Sequence, residues 1–467
     1  MKRLFLATFA VLCVMVASAQ VKYVFYMIGD GMGPNQVLAT EMYLAELDGY
    51  IGRKQLCMTT FPFSGQLGTF SASNGITDSS AAGTCLASGK KTTNHTLGLD
   101  ANGEPVKTVA EILHNGDWAV GIMTSVSIDH ATPGAFYAHV KSRSDYYTIG
   151  LQLAKSDFDF FGGATFYQPY NKKSPQDGPN VYAACEEAGY RFAHGYKEYK
   201  ELADADKLIL IQQHEGLKKD YLGEGLLPYA IDKKPEDLTL PQITEAAIDF
   251  LSRKDKPFFM MVEGGAIDWA CHSNDAATVI GEVLEFDEAI RVAYDFYLKH
   301  PKETLIIVTA DHETGGMALG NSDYTLNLKA LQNQKESLDQ LSDQIKELHQ
   351  TYGKKLKWQQ VKDLLQGQLG LYDVVEVTKE EDAELQATFK KMLANKATDE
   401  KSLYSSVSAL SKQAVRLLNK KAKVGWTTGS HSAAAVPVFA IGQGAELFTG
   451  WHDNSEIAPL ILKLTSK

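Results

Sequence analysis

The chain has 467 residues, 44% of them hydrophobic and 22% charged, a usage that fits a globular protein with a sizeable core and excludes collagen-like and Pro-rich disordered classes. Its 57 acids outweigh 46 bases for a net charge of −11, which argues against a general nucleic-acid binder, because that needs a basic footprint. An anionic substrate stays compatible with this balance, since bound metal ions invert the sign of charge at one site.

Residues 1–19 read as an export signal: Lys2 and Arg3 precede an apolar run over 4–16, and Ala17-Ser18-Ala19 matches a cleavage site. The run is too short to span a bilayer, and no other stretch is apolar enough to do so. The expected product is an exported protein, periplasmic or secreted, with one domain over 20–467. Residues 22–28 form a continuous apolar run, read as a buried strand, that ends in Gly29-Asp30-Gly31-Met32-Gly33. Pro34 then opens a helix to about residue 47. In the segment 75–84 small residues crowd around Ser79 where a turn enters a helix. A serine there either caps the helix or turns its hydroxyl to an anion held at the positive helix end. Metal contact with Ser79 Oγ would make that hydroxyl a nucleophile.

A helix over 108–115 and a strand over 118–125 follow. Beyond them lie His130, Thr132, a candidate hard oxygen ligand for magnesium, and Arg143, able to fork onto two phosphate oxygens. Residues 165–235 mix Gly, Pro, Tyr and charge and read as a loop-rich insertion. A strand over 256–262 ends at Glu263, and in a following helix Asp268 and His272 share a face at zinc-ligand spacing. A helix over 276–300 precedes a strand over 304–309, which ends in Asp311-His312. Residues 322–424, rich in Lys, Glu, Gln and Leu, read as a helical insertion before Gly429-Ser430-His431 and a last strand over 435–440. Strands alternating with helices predict an α/β fold with a largely parallel central sheet flanked by helices. In open α/β sheets ligands bind beyond the carboxyl ends of the strands, where Asp30, Glu263 and Asp311 stand. Beyond the signal, Cys57, Cys85, Cys185 and Cys271 form no CxxC pair, which leaves both disulfides and buried thiols open.

The ordered set of Gly29–Gly33, Thr77-Asp78-Ser79, His130 through Arg143, Val262-Glu263-Gly264, Asp268 with His272, Thr309–Gly316 and Gly429–His431 resembles alkaline phosphatases. The resemblance implies two Zn2+ and one Mg2+ per chain: one zinc on Asp268, His272 and His431, a second on Asp30, Asp311, His312 and Ser79, and magnesium on Asp30, Thr132 and Glu263. It implies hydrolysis of phosphate monoesters through a phosphoserine on Ser79, with Arg143 gripping phosphate, and a homodimer without nucleic-acid partner or membrane span. Enteric-type members carry aspartate where His130 stands and lysine where Trp269 stands. His130 and Trp269 are therefore expected beside the substrate, His130 on a water or the third metal and Trp269 packed or stacked on an organic group. The competing readings are a phosphodiesterase of the same superfamily, which usually lacks the third metal site, and a secreted zinc- or phosphate-binding protein, for which an activated Ser79 has no use.

Overall fold

The computed structural model describes residues 20–171, 178–202, 204–212, 225–321, 323–394, 399–401 and 406–466. The expected export signal at 1–19 lies outside them. Among the described residues ten strands form the central sheet: β1 (Tyr23–Ile28), β2 (Phe63–Gly68), β3 (Ala119–Thr124), β4 (Phe160–Gly163), β5 (Tyr190–His194), β6 (Lys207–Ile211), β7 (Phe258–Glu263), β8 (Thr304–Thr309), β9 (Val436–Gly442) and β10 (Gly450–Asp453). Their order is β10-β2-β9-β8-β1-β7-β3-β4-β6-β5. Every neighbouring pair is parallel except those made by β9, which runs antiparallel to both β8 and β2. The central strands β1, β3, β7 and β8 are buried almost throughout, which explains their unbroken apolar composition.

Four helices position the polar edge of this sheet. The first, α1 (Pro34–Leu47), has proline in its first turn, where a missing N–H costs nothing. Next, α2 (Ser79–Ser88) is capped by Asp78, whose side chain accepts from Ala81 N. The short α3 (Ala266–Ser273) follows β7. The long α4 (Ala276–Lys299), capped by Asp275, packs against α1, α3 and the helix Leu240–Ser252.

Two features depart from the sequence reading. The stretch 165–235 supplies β5 and β6 to the main sheet in addition to its loops. The strands β2, β4 and β10 are also absent from that reading: β2 is half-exposed and built from Phe-Ser-Gly-Gln-Leu-Gly, with no core-facing alternation, and β4 is only the four residues Phe-Phe-Gly-Gly. Between residues 323 and 424 the chain forms the helices Leu338–Tyr352, Trp358–Leu369, Lys379–Leu393 and Ala409–Ala422. Cys57, Cys85, Cys185 and Cys271 are all free and buried. No helix among the described residues is long and apolar enough to cross a membrane.

Candidate active site

The strands β8, β1, β7 and β3 lie side by side and end in register: Ile28 stands opposite Thr309 and Glu263, and Thr124 opposite Glu263. This alignment brings Asp30, Glu263 and Asp311 to one sheet edge. The β1 turn is tight. Asp311 Oδ1 accepts from Gly31 N at 3.2 Å and from His312 N at 2.9 Å. Gly31 has φ +71, and a Cβ there would come within 2.9 Å of Asp268 Oδ1 and Thr314 Oγ1, so both its backbone and its surroundings demand glycine.

One turn of α3 sets His272 Nε2 3.3 Å from Asp268 Oδ2. A two-residue antiparallel ladder between His431–Ser432 and Glu313–Thr314 returns the chain to the site and stacks the His431 ring on His312 at 3.5 Å. His272 Nδ1 donates to Gly429 O at 2.7 Å and His431 Nδ1 to Thr77 O at 2.8 Å. Carbonyl oxygens only accept, so each Nδ1 carries a proton and, on a neutral ring, each Nε2 is a lone pair. The two Nε2 atoms are 3.3 Å apart. Two lone pairs at that distance favour a shared cation.

The ligand atoms fall into three groups: Asp268, His272 and His431; Asp30, Asp311 and His312; and Asp30, His130 and Glu263. Thr132 Oγ1 adds to the third, 3.4 Å from Asp30 Oδ2. Four carboxylate oxygens here, on Asp30, Glu263, Asp268 and Asp311, are buried without a hydrogen-bond donor. Leaving such atoms uncompensated is costly, and divalent cations remove that cost. Imidazole with carboxylate suits zinc in the first two groups, and the oxygen-rich third suits magnesium.

The electrostatics point the same way. Burial and the neighbouring carboxylates push Asp30 and Asp311 far above the ordinary carboxylate range, and burial lifts Glu263 to about 7. Burial acts on Asp268 too, but in the metal-free site a protonated His272, whose own pKa Asp268 raises, outweighs it and holds that carboxyl far down. Burial, reinforced by neighbouring positive charge, drives His312 well below its usual range and His130 to about 3, so both rings are neutral.

Ser79 holds the first position of α2, with its Oγ 3.2 Å from His312 Nε2. Because Asp78 supplies the cap, Ser79 is released from that role. The adjacent Ser80 hydroxyl is committed to Asp78 Oδ2 at 2.7 Å, so only Ser79 faces the ligand cluster. Arg143 NH1 lies 3.4 Å from Asp78 Oδ2 and NH2 3.3 Å from His130 Nε2. The Trp269 ring meets His130 edge-on at 6.0 Å. Asp78, His130, Arg143, Trp269 and His431 all line one cavity of about 1490 Å³. The fold thus gathers every site residue expected from the sequence. It also adds residues that sequence reasoning missed. Thr124 Oγ1 donates to Glu263 Oε2, and Thr314 Oγ1 donates to Asp268 Oδ1 at 2.5 Å while lying 3.2 Å from His312 Nδ1. Thr314 stands inside the Asp311–Gly316 motif, which was the available signal; Thr124 had none.

Comparison with known proteins gives a consistent answer. The family model described as alkaline phosphatase matches residues 21–466. Alkaline phosphatase 4 of Bacillus subtilis is 33% identical over 462 residues, covering 96% of this chain and 89% of its own. Among solved structures, a cold-active alkaline phosphatase from a psychrophilic Shewanella is similar with a TM-score of 0.77 and 27% identity, over 96% of this chain and all (100%) of its own. A histidine-to-aspartate variant of TAB5 alkaline phosphatase with Mg bound in its M3 site has a TM-score of 0.65 at 25% identity, covering 96% and 98%.

Proposed function

The chain belongs to the alkaline phosphatase family, and from that membership we infer how its own residues hydrolyse phosphate monoesters with metal cofactors. The residues that would hold two zinc ions are Asp268, His272 and His431 for one and Asp30, Asp311, His312 and Ser79 for the other, with Asp30, Thr132 and Glu263 for magnesium. When bound, these ions supply Lewis acidity, lowering the pKa of coordinated hydroxyls and neutralising phosphoryl charge.

Arg143 donates two parallel N–H groups to phosphate oxygens and orients them. Asp78 and His130 hold its guanidinium in place beforehand, which lowers the entropy lost on binding. Ser79 Oγ passes its proton to solvent and attacks phosphorus in line, and the leaving oxygen takes up a proton from water. The new Oγ–P bond forms as the bond to the leaving oxygen breaks, and a phosphoserine results. Water then attacks the phosphoserine from the opposite side, restoring Ser79 and releasing inorganic phosphate. Two in-line displacements give net retention at phosphorus. The transition state is loose, so positioning and charge neutralisation supply most of the rate. Neutral His130 serves as an acceptor for Arg143 and a neighbour of the third group.

The single observation that carries this reading is the Ser79 hydroxyl, 3.2 Å from His312 Nε2 amid three groups of ligand atoms. The remaining proposals follow the family: a homodimer, exported to the periplasm or medium after loss of residues 1–19, with 20–467 as one catalytic domain. The test is p-nitrophenyl phosphate turnover before and after chelation, with metals counted on the purified protein. Loss of activity on chelation, recovery with zinc and a count of two zinc and one magnesium are expected; chelator-resistant turnover contradicts the reading.

A further inference from the structure

We propose that Glu313 is a positioning residue for one zinc group: its buried carboxylate clamps Ser432 to Gln36 of α1 and so sets where His431 stands beside Asp268 and His272. The inference rests on the ligand set given above and adds the residue that holds one member of it in place.

Glu313 follows the ligand pair Asp311-His312, and its side chain is buried. Four donors converge on its two oxygens. Oε1 accepts from Gln36 Nε2 at 2.8 Å and from Met317 N at 3.3 Å. Oε2 accepts from Gly316 N at 3.2 Å and from the Ser432 hydroxyl. A buried carboxylate is costly unless it is satisfied in this way. The two backbone donors are local, as for any acid that caps its own turn. The other two are not: Gln36 is 277 positions away in sequence and Ser432 is 119 away. The carboxylate therefore joins two distant segments in addition to its own turn.

The Gln36 end is fixed. Gln36 is fully buried, in the first turn of α1, and its amide gives one N–H to Glu313 and the other to Thr314 O at 2.9 Å. Gly33 supplies a second, independent observation. A Cβ there would stand 2.3 Å from Glu313 Cγ and 2.9 Å from Gln36 Oε1. Its φ is −80, so the backbone does not demand glycine; the space is taken by the Glu313 side chain. The turn that carries Asp30 thus ends against the clamp.

The Ser432 end is the one that needs holding. His431 returns to the site after the long helical insertion, on a ladder of only two residue pairs, His431 with Thr314 and Ser432 with Glu313. Ser432 Oγ donates to Glu313 and accepts from Ala434 N at 3.3 Å, closing that ladder on the far side of His431. Asp268 and His272 need no such help, because one turn of α3 fixes their spacing. Releasing the clamp therefore loosens one ligand of one zinc group.

The experiment counts zinc per chain in the metal-loaded full chain over graded chelator concentrations. Ser432→Ala is expected to lose one zinc equivalent at roughly tenfold lower chelator concentration than wild type, the scale on which outer partners support metal ligands, while the second equivalent leaves where it did. Ser432→Thr restores the hydroxyl and the wild-type profile. Glu313→Gln acts like Ser432→Ala, since an amide cannot accept from all four donors. Equal loosening of both zinc ions in Ser432→Ala marks a merely structural residue and overturns the proposal, as does a profile unmoved in both variants. Hydrogen exchange of residues 428–432 in chelated protein, with circular dichroism to verify folding, decides the clamp apart from the metal. Faster exchange in Ser432→Ala supports it, and unchanged exchange overturns it. A wild type that holds no zinc yet shows this difference in exchange counts against the ligand set and leaves the clamp supported.

Discussion

Replacing Thr314 by valine removes one hydroxyl while keeping the shape of the side chain, and that hydroxyl joins two metal-ligand groups. Thr314 Oγ1 is 2.5 Å from Asp268 Oδ1 and 3.2 Å from His312 Nδ1. Asp268 is held ionised by its imidazole neighbours and can only accept. The single Thr314 proton therefore goes to Asp268, and Thr314 must accept from His312 Nδ1–H. This chain of donors leaves His312 Nε2 as a lone pair aimed at Ser79, Asp30 and Asp311. Without the hydroxyl, Asp268 loses a hydrogen bond of the charged kind, about 1.5–3 kcal/mol, and His312 loses the acceptor that fixes its tautomer. Outer partners of metal ligands typically contribute 10–100-fold to affinity, which agrees with that energy. Thr314→Val is thus expected to release zinc at roughly 10–100-fold lower chelator concentration, with Thr314→Ser close to wild type. Zinc retention against graded chelator, with circular dichroism to verify folding, measures this. Undiminished zinc affinity in Thr314→Val would refute the assigned donor chain.

Three further outcomes are expected. Arg143→Ala weakens inhibition by inorganic phosphate without loss of zinc, because up to two charge-assisted bonds of about 1.5–3 kcal/mol each disappear; an unchanged inhibition constant counts against the grip. Trp269→Lys tightens phosphate inhibition and slows turnover where product release limits it, since a cation then stands beside a dianion, and adding His130→Asp strengthens the effect; weaker inhibition in Trp269→Lys would show that the indole only packs. In metal-free protein, Asp30, Asp311 and Glu263 have raised folded-state pKa values, Glu263 at about 7, against about 4 in an unfolded chain. Their stabilisation is complete below the unfolded value and lost as pH rises toward the folded one. His130 and His312, held neutral by burial, oppose this up to the ordinary histidine value of about 6.5, so the melting temperature of chelated protein should fall as pH rises from about 6.5 upward, and a rise there would contradict the ligand electrostatics.

The strands that build the site were legible because burial on both faces forces continuous apolar runs, and β1, β7 and β8 are such runs. Their ends were legible too, since Asp30, Glu263 and Asp311 interrupt apolar sequence with charge that only a ligand or solvent can satisfy. The reversed direction of β9 was not, because strand orientation depends on which neighbours it meets and leaves no mark on Val436–Gly442. The run Lys207–Ile211 has the composition of a buried strand but sits amid glycine, proline and charge that read as loop. Thr124 and Thr314 act through single hydroxyls, and a threonine at a strand end looks the same whether it holds a ligand or merely favours the strand. Tyr146 and Tyr167 join the cavity lined by Arg143 through tertiary packing alone.

The central claim is that Ser79 carries the phosphoryl group between substrate and water. The most direct measurement incubates the metal-loaded enzyme with labelled phosphate at low pH, quenches it and maps the label by peptide sequencing. One labelled site, Ser79, is expected, with no label in a Ser79→Ala variant that retains its metals. Label on Ser80, whose hydroxyl is held by Asp78 at 2.7 Å, or label persisting in Ser79→Ala, would contradict it.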